Sequence, residues 1–176
     1  MRNLIVLFTA ILALAISACG PEAITTKNGF RFINHTNKGG QKPKPGDWVL
    51  VQTYAYIKDS LMLDTSRDLG GPQENELFPE DSIKGKINGM YDAIFLMGVG
   101  DSATVYQPLD SADMKYVTEK LKDAKEVAYT MVLLKITSKE EKAKQMAEEE
   151  AAQQLAQQKA LESVQAVDQK TKAVIN

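Results

Sequence analysis

An α+β fold is what this sequence predicts: an antiparallel sheet wrapped around one short central helix, with a long C-terminal helix after it. Three observations carry the expectation. Asp47–Ile57 and Glu126–Ile136 alternate with period two, the pattern of strands that bury one face. Between them Met90, Ala93, Ile94 and Met97 fall at i, i+3, i+4 and i+7, on one face of a helix of barely two turns. Such a helix does not hold together alone in water, so the strands must pack on it. From Ser138 to about Thr171 the chain is mostly Ala, Gln, Glu and Lys with no Gly or Pro, a strongly helix-forming composition.

The totals narrow the chemistry. A chain of 176 residues has room for one domain plus extras, and 44% hydrophobic with 25% charged residues is enough for a packed core. A formal charge of −2 gives no electrostatic reason to expect nucleic acid or an anionic membrane surface as partner. Cys19 is the only cysteine and His35 the only histidine. That excludes an intramolecular disulfide, leaves no zinc-type ligand cluster and offers no nucleophile–histidine pair, so neither metal nor cofactor is expected. His35, in a polar segment, is expected at the surface.

Taken in order, the chain opens with a positive Arg2 and an apolar run, Leu4–Ile16, too short for a comfortable permanent span. The run ends in Ile16-Ser17-Ala18-Cys19, which looks like a bacterial lipobox. Residues 1–18 are therefore expected to be a lipoprotein signal peptide, Cys19 the lipidated anchor and residues 19–24 a linker. An ordinary secretory signal with an incidental cysteine is the alternative. Several acyl chains on one residue hold firmly, each buried CH₂ contributing about 0.8 kcal/mol.

The segment 25–137 is expected to be the folded domain. Asn28-Gly29 turns the chain into a first strand at Phe30–Ile33, and Lys38-Gly39-Gly40 through Gly46 reads as an exposed connection. Along Asp47–Ile57 the smaller, more core-like set is Val49, Val51, Thr53, Ala55 and Ile57, which should face the helix. Lys58-Asp59-Ser60 is a hairpin turn and Leu61–Asp64 the return strand. Asp68–Pro79 reads as a loop that touches the body at Leu77-Phe78. After the helix, Gly98 and Gly100 make a tight corner into a strand that runs to Pro108. Leu109–Lys122 reads as a second helix, capped by Asp110 or Ser111, with Met114, Val117, Thr118 and Leu121 on one face. Val127–Ile136 is the last strand.

In the C-terminal segment, residues 138–176, Met146, Leu155, Leu161, Val164 and Val167 do not sustain a heptad. The segment is expected to be a solvated helix. Self-association or clamping of a client through it is the alternative.

A family resemblance rests on specific residues. Gly89-Met90-Tyr91-Asp92-Ala93, Leu96-Met97-Gly98-Val99-Gly100 and Ala103-Thr104-Val105 resemble the core of FKBP-type peptidyl-prolyl cis-trans isomerases. In that family G-W-(D/E)-x-(A/G) opens the helix and M-x-V-G-x-x-A leads into a strand. Gly46-Asp47, Leu63-Asp64-Thr65-Ser66 and Val132–Ile136 extend the likeness over roughly residues 25–137.

The resemblance implies a site. Ile87 stands where a backbone N–H receives the substrate carbonyl, Asp64 matches the family's aspartate, and Tyr129 an aromatic position on the last strand. Thr53, Leu63 and Met90 stand where the family has tyrosine, phenylalanine and tryptophan lining the proline pocket. From the residues alone, Ile87, Met90, Leu63 and Tyr129 are plain core residues and Asp64 a turn cap. Met90 and Leu63 keep the pocket apolar while removing rigid aromatic walls, worth about 2 to 3 kcal/mol of transition-state stabilisation and one to two decades of rate. The helix read at Leu109–Lys122 replaces a loop that carries an aromatic residue over the family's active site.

The activity implied is isomerisation of X-Pro bonds in unfolded or exported polypeptides, from a lipid anchor in the cell envelope. The location is an outer membrane or the periplasmic face of an inner membrane. A non-catalytic chaperone or assembly module on the same fold is the alternative.

Overall fold

In the computed structural model the described residues are 22–83, 87–109 and 122–175, with side chains described as far as residue 160. Residues 1–21, which include the expected signal segment and Cys19, lie outside them, as does most of the expected helix at Leu109–Lys122. The chain divides into two compact units, residues 1–136 and 137–176.

Among the described residues of the first unit, seven strands form one sheet. The elements are β1 (Ala23–Thr25), β2 (Arg31–Thr36), β3 (Trp48–Ile57), β4 (Ser60–Asp64), α1 (Thr65–Asp68), β5 (Gln73–Glu76), a 3₁₀ turn (Glu80–Ser82), α2 (Gly89–Ile94), β6 (Ser102–Pro108) and β7 (Glu126–Thr137). The order across the sheet is β1-β2-β6-β7-β3-β4, with β5 also paired to β3. β7, last in sequence, thus lies between β6 and β3. The α+β architecture of an antiparallel sheet around a short helix is the one read from the sequence.

The core explains the pattern. Val49, Val51, Ala55 and Ile57 of β3 are buried on one face, with Thr53 half-buried among them. Phe32, Ala103, Val105, Met131 and Leu133 come from β2, β6 and β7, and Ala93, Ile94 and Met97 from α2 and the turn after it. Burying each large apolar side chain contributes roughly 1.5 to 3 kcal/mol, which is what holds a six-residue helix in place.

Several details differ from the sequence expectation. α2 is shorter than Met90–Met97, because after Ile94 the backbone tightens to three-residue bonds, Leu96 N to Ala93 O and Met97 N to Ile94 O. Its start is fixed by Asn88, whose Oδ1 accepts from Tyr91 N at 2.7 Å. The sheet begins at Ala23, inside the stretch expected to be linker. Asp68–Pro79 is not all loop, since Gln73–Glu76 forms β5 on backbone pairing alone, with no apolar alternation to announce it. Within that segment Leu77 is buried as expected, whereas Phe78 is exposed.

The connection around Gly40 is no loose surface run. A Cβ on Gly98 would lie 2.7 Å from the Gly40 carbonyl oxygen, and one on Gly40 2.8 Å from that of Val99. Backbone meets backbone there, which only glycine permits. Asp101, almost wholly buried, ties the seam by accepting from Lys38 N at 2.7 Å and Gly98 N at 2.8 Å. At the β3–β4 turn, Lys58 and Asp59 both take positive φ, 47° and 62°, the geometry of a two-residue hairpin. His35 is exposed, its Nε2 2.7 Å from Thr104 Oγ1.

The second unit is a single long helix, α3 (Lys139–Ile175). Ser138 caps it, with Oγ accepting from Glu141 N at 3.2 Å. Met146 and Leu155 are exposed, and no apolar stripe runs along its described part.

Candidate functional site

Where α2 crosses the inner face of the sheet, the packing leaves a cavity of about 240 Å³. β3 contributes Val49, Val51 and Thr53; Leu77 follows β5; Met90, Tyr91 and Ile94 come from α2; and Met131 reaches in from β7. Polar groups, Asn75, Glu76 and Asn88, stand on the same boundary. Thr53 and Met90, neither carrying a ring, stand on that boundary.

Tyr91 shapes one wall. Its hydroxyl donates to the Phe78 carbonyl oxygen, and its ring packs edge-on against Phe95 with centroids 5.1 Å apart. Burial raises the Tyr91 pKa above the ordinary phenol value, and Glu80 adds to that. The hydroxyl is therefore a proton donor at neutral pH and holds the chain after β5 onto α2. Asp92, buried behind the helix, accepts from Asn28 N at 2.8 Å and Asn28 Nδ2 at 3.1 Å, and Lys27 pairs with Glu80. These contacts fix the helix and the segment after β5 relative to the sheet.

The residues singled out from the sequence fall into three places. Thr53 and Met90 line the cavity. Leu63 and Tyr129 pack instead on a second, smaller apolar cluster made of Ala55, Ile57, Ala124 and Val127, although Tyr129 touches the main core as well. Ile87, half-buried, directly precedes the Asn88 cap, and its N–H has no hydrogen-bond partner among the described residues.

Asp64 has a structural task. Its Oδ1 accepts from Ser66 N at 3.0 Å, capping α1, and from Gln52 Nε2 at 3.0 Å. Ser66 Oγ in turn donates to Gln52 Oε1 at 2.7 Å, and Thr53 N donates to Thr65 Oγ1 at 3.1 Å. Gln52 is buried on the face of β3 turned away from the core, which such hydrogen bonds make tolerable. Asp68 closes the network by accepting from Asp64 N at 2.8 Å, and Arg67 holds the Asp68 carboxyl at a pKa of about 2.

Sequence reasoning missed Asn75, Glu76, Tyr91 and Met131 as wall residues and Gln52 as the partner of Asp64. Leu77 was the visible signal on the β5 side. For Gln52 the signal was a polar residue in the middle of an otherwise apolar strand.

Chemically the cavity offers an apolar floor and a hydroxyl at Thr53. It contains no nucleophile, and no group of metal-ligating side chains occurs among the described residues.

A sheet wrapped on a short helix, with a groove between them, defines the FKBP type of fold. The match to the crystal structure of FkpA from Escherichia coli has 18% identity and a TM-score of 0.51, covering 73% of this chain and 56% of that one. This chain therefore spans little more than half of FkpA. A peptidyl-prolyl cis-trans isomerase from Pseudomonas syringae pv. tomato matches at 17% identity and TM-score 0.50, over 73% of this chain and 90% of that one. The N-terminal domain of FKBP42 from Arabidopsis thaliana matches at 14% and 0.52, over 68% and 95% respectively. No protein-family profile matches the sequence, and no curated protein matches it at sequence level. At these identities the likeness is one of fold.

Proposed function

We propose that the domain is an FKBP-type peptidyl-prolyl cis-trans isomerase of modest power, lipid-anchored through Cys19 in a cell envelope and acting on proline-containing exported polypeptides. The observation that carries the reading is the apolar cavity floored by Met90 and Met131, with Thr53 on its wall.

The chemistry asks for little else. The barrier to rotating a peptide bond, about 18 to 20 kcal/mol, comes from amide resonance, and X-Pro bonds cross it in tens to hundreds of seconds. A dry pocket that holds the proline ring while an N–H receives the preceding carbonyl favours the twisted amide over either planar form. Differential binding of that twisted state is the catalysis. Asp64, tied to Gln52 and the start of α1, fixes the turn from β4 into α1, and Leu63 and Tyr129 pack on the second cluster outside the cavity wall.

The test is cis/trans exchange on a short X-Pro peptide, followed by NMR with the intact chain. Acceleration that is lost when Met90 is replaced by Asp supports the reading. A groove that binds the peptide without accelerating exchange gives the second reading, a non-catalytic binding module. That alternative is favoured by the absence of aromatic side chains at 53, 63 and 90 and by Leu63 packing into the second cluster rather than lining the cavity. With neither exchange nor binding, both readings fail.

A further inference from the structure

The opposite face of the sheet carries a second cavity, of about 230 Å³, bounded by Tyr56 of β3, Tyr106 of β6 and Ala128 of β7. Val105, Val127, Ala55 and Ile57 point into the core, so their neighbours Tyr106, Ala128 and Tyr56 project outward. Tyr106 stands opposite Ala128 in the β6–β7 register, and β7 runs between β6 and β3. Two tyrosines therefore flank a small residue. With strands about 4.8 Å apart, β3 and β6 are separated by roughly 9 to 10 Å across β7, enough for a flat ring to enter between or against the two side chains.

One wall is braced. The Arg31 guanidinium carbon lies 3.4 Å from the centroid of the Tyr106 ring, and its Nη donates to Glu126 Oε1 at 2.7 Å. Cation–π contact and ion pair together fix the ring before any ligand arrives, which lowers the ordering cost of binding.

The rim holds unspent hydrogen-bonding capacity. The hydroxyls of Tyr56 and Tyr106, the Asp59 carboxylate and the Lys125 ammonium have no partner among the described residues, and Lys58 reaches Asp123 only at 3.9 Å. With both signs of charge interleaved, the rim has no field that would select a polyanion or polycation. Its volume lies below the roughly 300 to 1,000 Å³ of pockets that enclose a whole small molecule. The ligand that matches is neutral, presents a ring with C–H groups for aromatic faces, carries several hydroxyls for donors and acceptors, and extends beyond the cavity.

We propose that this slot holds one sugar ring of a neutral glycan chain. A proline-rich peptide would use the tyrosine faces, and its carbonyls could accept from Lys125, but prolines have no N–H or hydroxyl to donate to the Asp59 carboxylate. The proposal is independent of the isomerase reading, because the groove lies on the other face of the sheet.

The test is NMR titration of the intact, isotopically labelled chain with a soluble cello-oligosaccharide, a soluble N-acetylglucosamine oligomer and a polyproline peptide. The expected result is that an oligosaccharide shifts the amides around Tyr56, Tyr106 and Ala128 and leaves those around Met90 in place. Tyr56→Ala should weaken binding about tenfold, and Arg31→Ala, which touches no ligand, severalfold through the unbraced ring. Should Tyr56→Ala not fold, Tyr56→Phe, which deletes only a hydroxyl, still has to weaken binding. The idea is overturned if neither sugar shifts those amides, if the shifts map to the groove, or if the polyproline peptide occupies the slot instead.

Discussion

The two apolar clusters under the sheet are built differently. The larger one joins Phe32, Met97, Met131 and Leu133, each almost fully buried, and the cavity opens directly off it: Val49, Val51, Leu77, Ile94 and Met131 are core residues and cavity walls at once. The smaller one consists of Ala55, Ile57, Ala124 and Val127, each retaining a few per cent of exposure, and collects Leu63 and Tyr129 at its margin. In the first cluster function and stability share side chains. In the second they can be separated.

The sharpest way to test the contrast is Met131→Ala. It should cost about 2 to 5 kcal/mol of unfolding free energy in denaturant titration and also change peptide affinity, because it removes a core side chain and a groove wall together. An unchanged peptide affinity at such a loss would break the claim that the wall belongs to the core. Next is Met90→Trp, which restores a rigid ring in the groove. Exchange on an X-Pro peptide should rise about tenfold, equivalent to about 1.4 kcal/mol of barrier, whereas a pure scaffold would show a change in stability alone.

Asn88→Ala removes the cap of α2 and should cost about 1 kcal/mol, with the loss visible in peptide binding as well as in unfolding. Ile57→Val, in the smaller cluster, should cost roughly 0.5 to 1.5 kcal/mol and leave peptide binding untouched. A binding change there would erase the difference between the clusters.

The smallest effect is a pH dependence. Asp68 has a folded pKa of about 2 against an ordinary value of 3.8, first through the hydrogen bond from Arg67 and then through that from Asp64 N. A depressed carboxylate pKa gives stability that is present above the unfolded value and is lost as pH falls through the folded one. Acid unfolding should therefore show a small component from about pH 4 down to about pH 2, absent in Asp68→Asn.

Much of this was legible in the sequence. The alternation in β3 and β7 and the spacing of Met90, Ala93, Ile94 and Met97 named the core face, because burial on one side of a regular element leaves a period. Asp92 and Asp101 were not legible as structural polar residues, since their partners at Asn28 and Lys38 N are set by tertiary contact; the Asn88 cap on Tyr91 N is local, but the apolar spacing does not carry it. β5 was missed for the same reason: Gln73–Glu76 pairs through its backbone and leaves no apolar signature. The groove was half visible. Thr53 and Met90 were placed through the resemblance, whereas Met131 and Tyr91 depend on where strand and helix part, which no local pattern encodes.

The position of β7 has a consequence for how the domain comes into being. β1, β2 and β6 make one half of the sheet, β3, β4 and β5 the other, and only β7 joins them. During synthesis both halves expose an unpaired edge until Glu126–Thr137 has emerged, and such edges invite pairing with other chains. The closing contacts are long in sequence, so folding should be slow for a domain of this size. A nascent chain stopped before residue 126 would then be two sticky half-sheets, and the groove would come into existence only when the last strand is inserted.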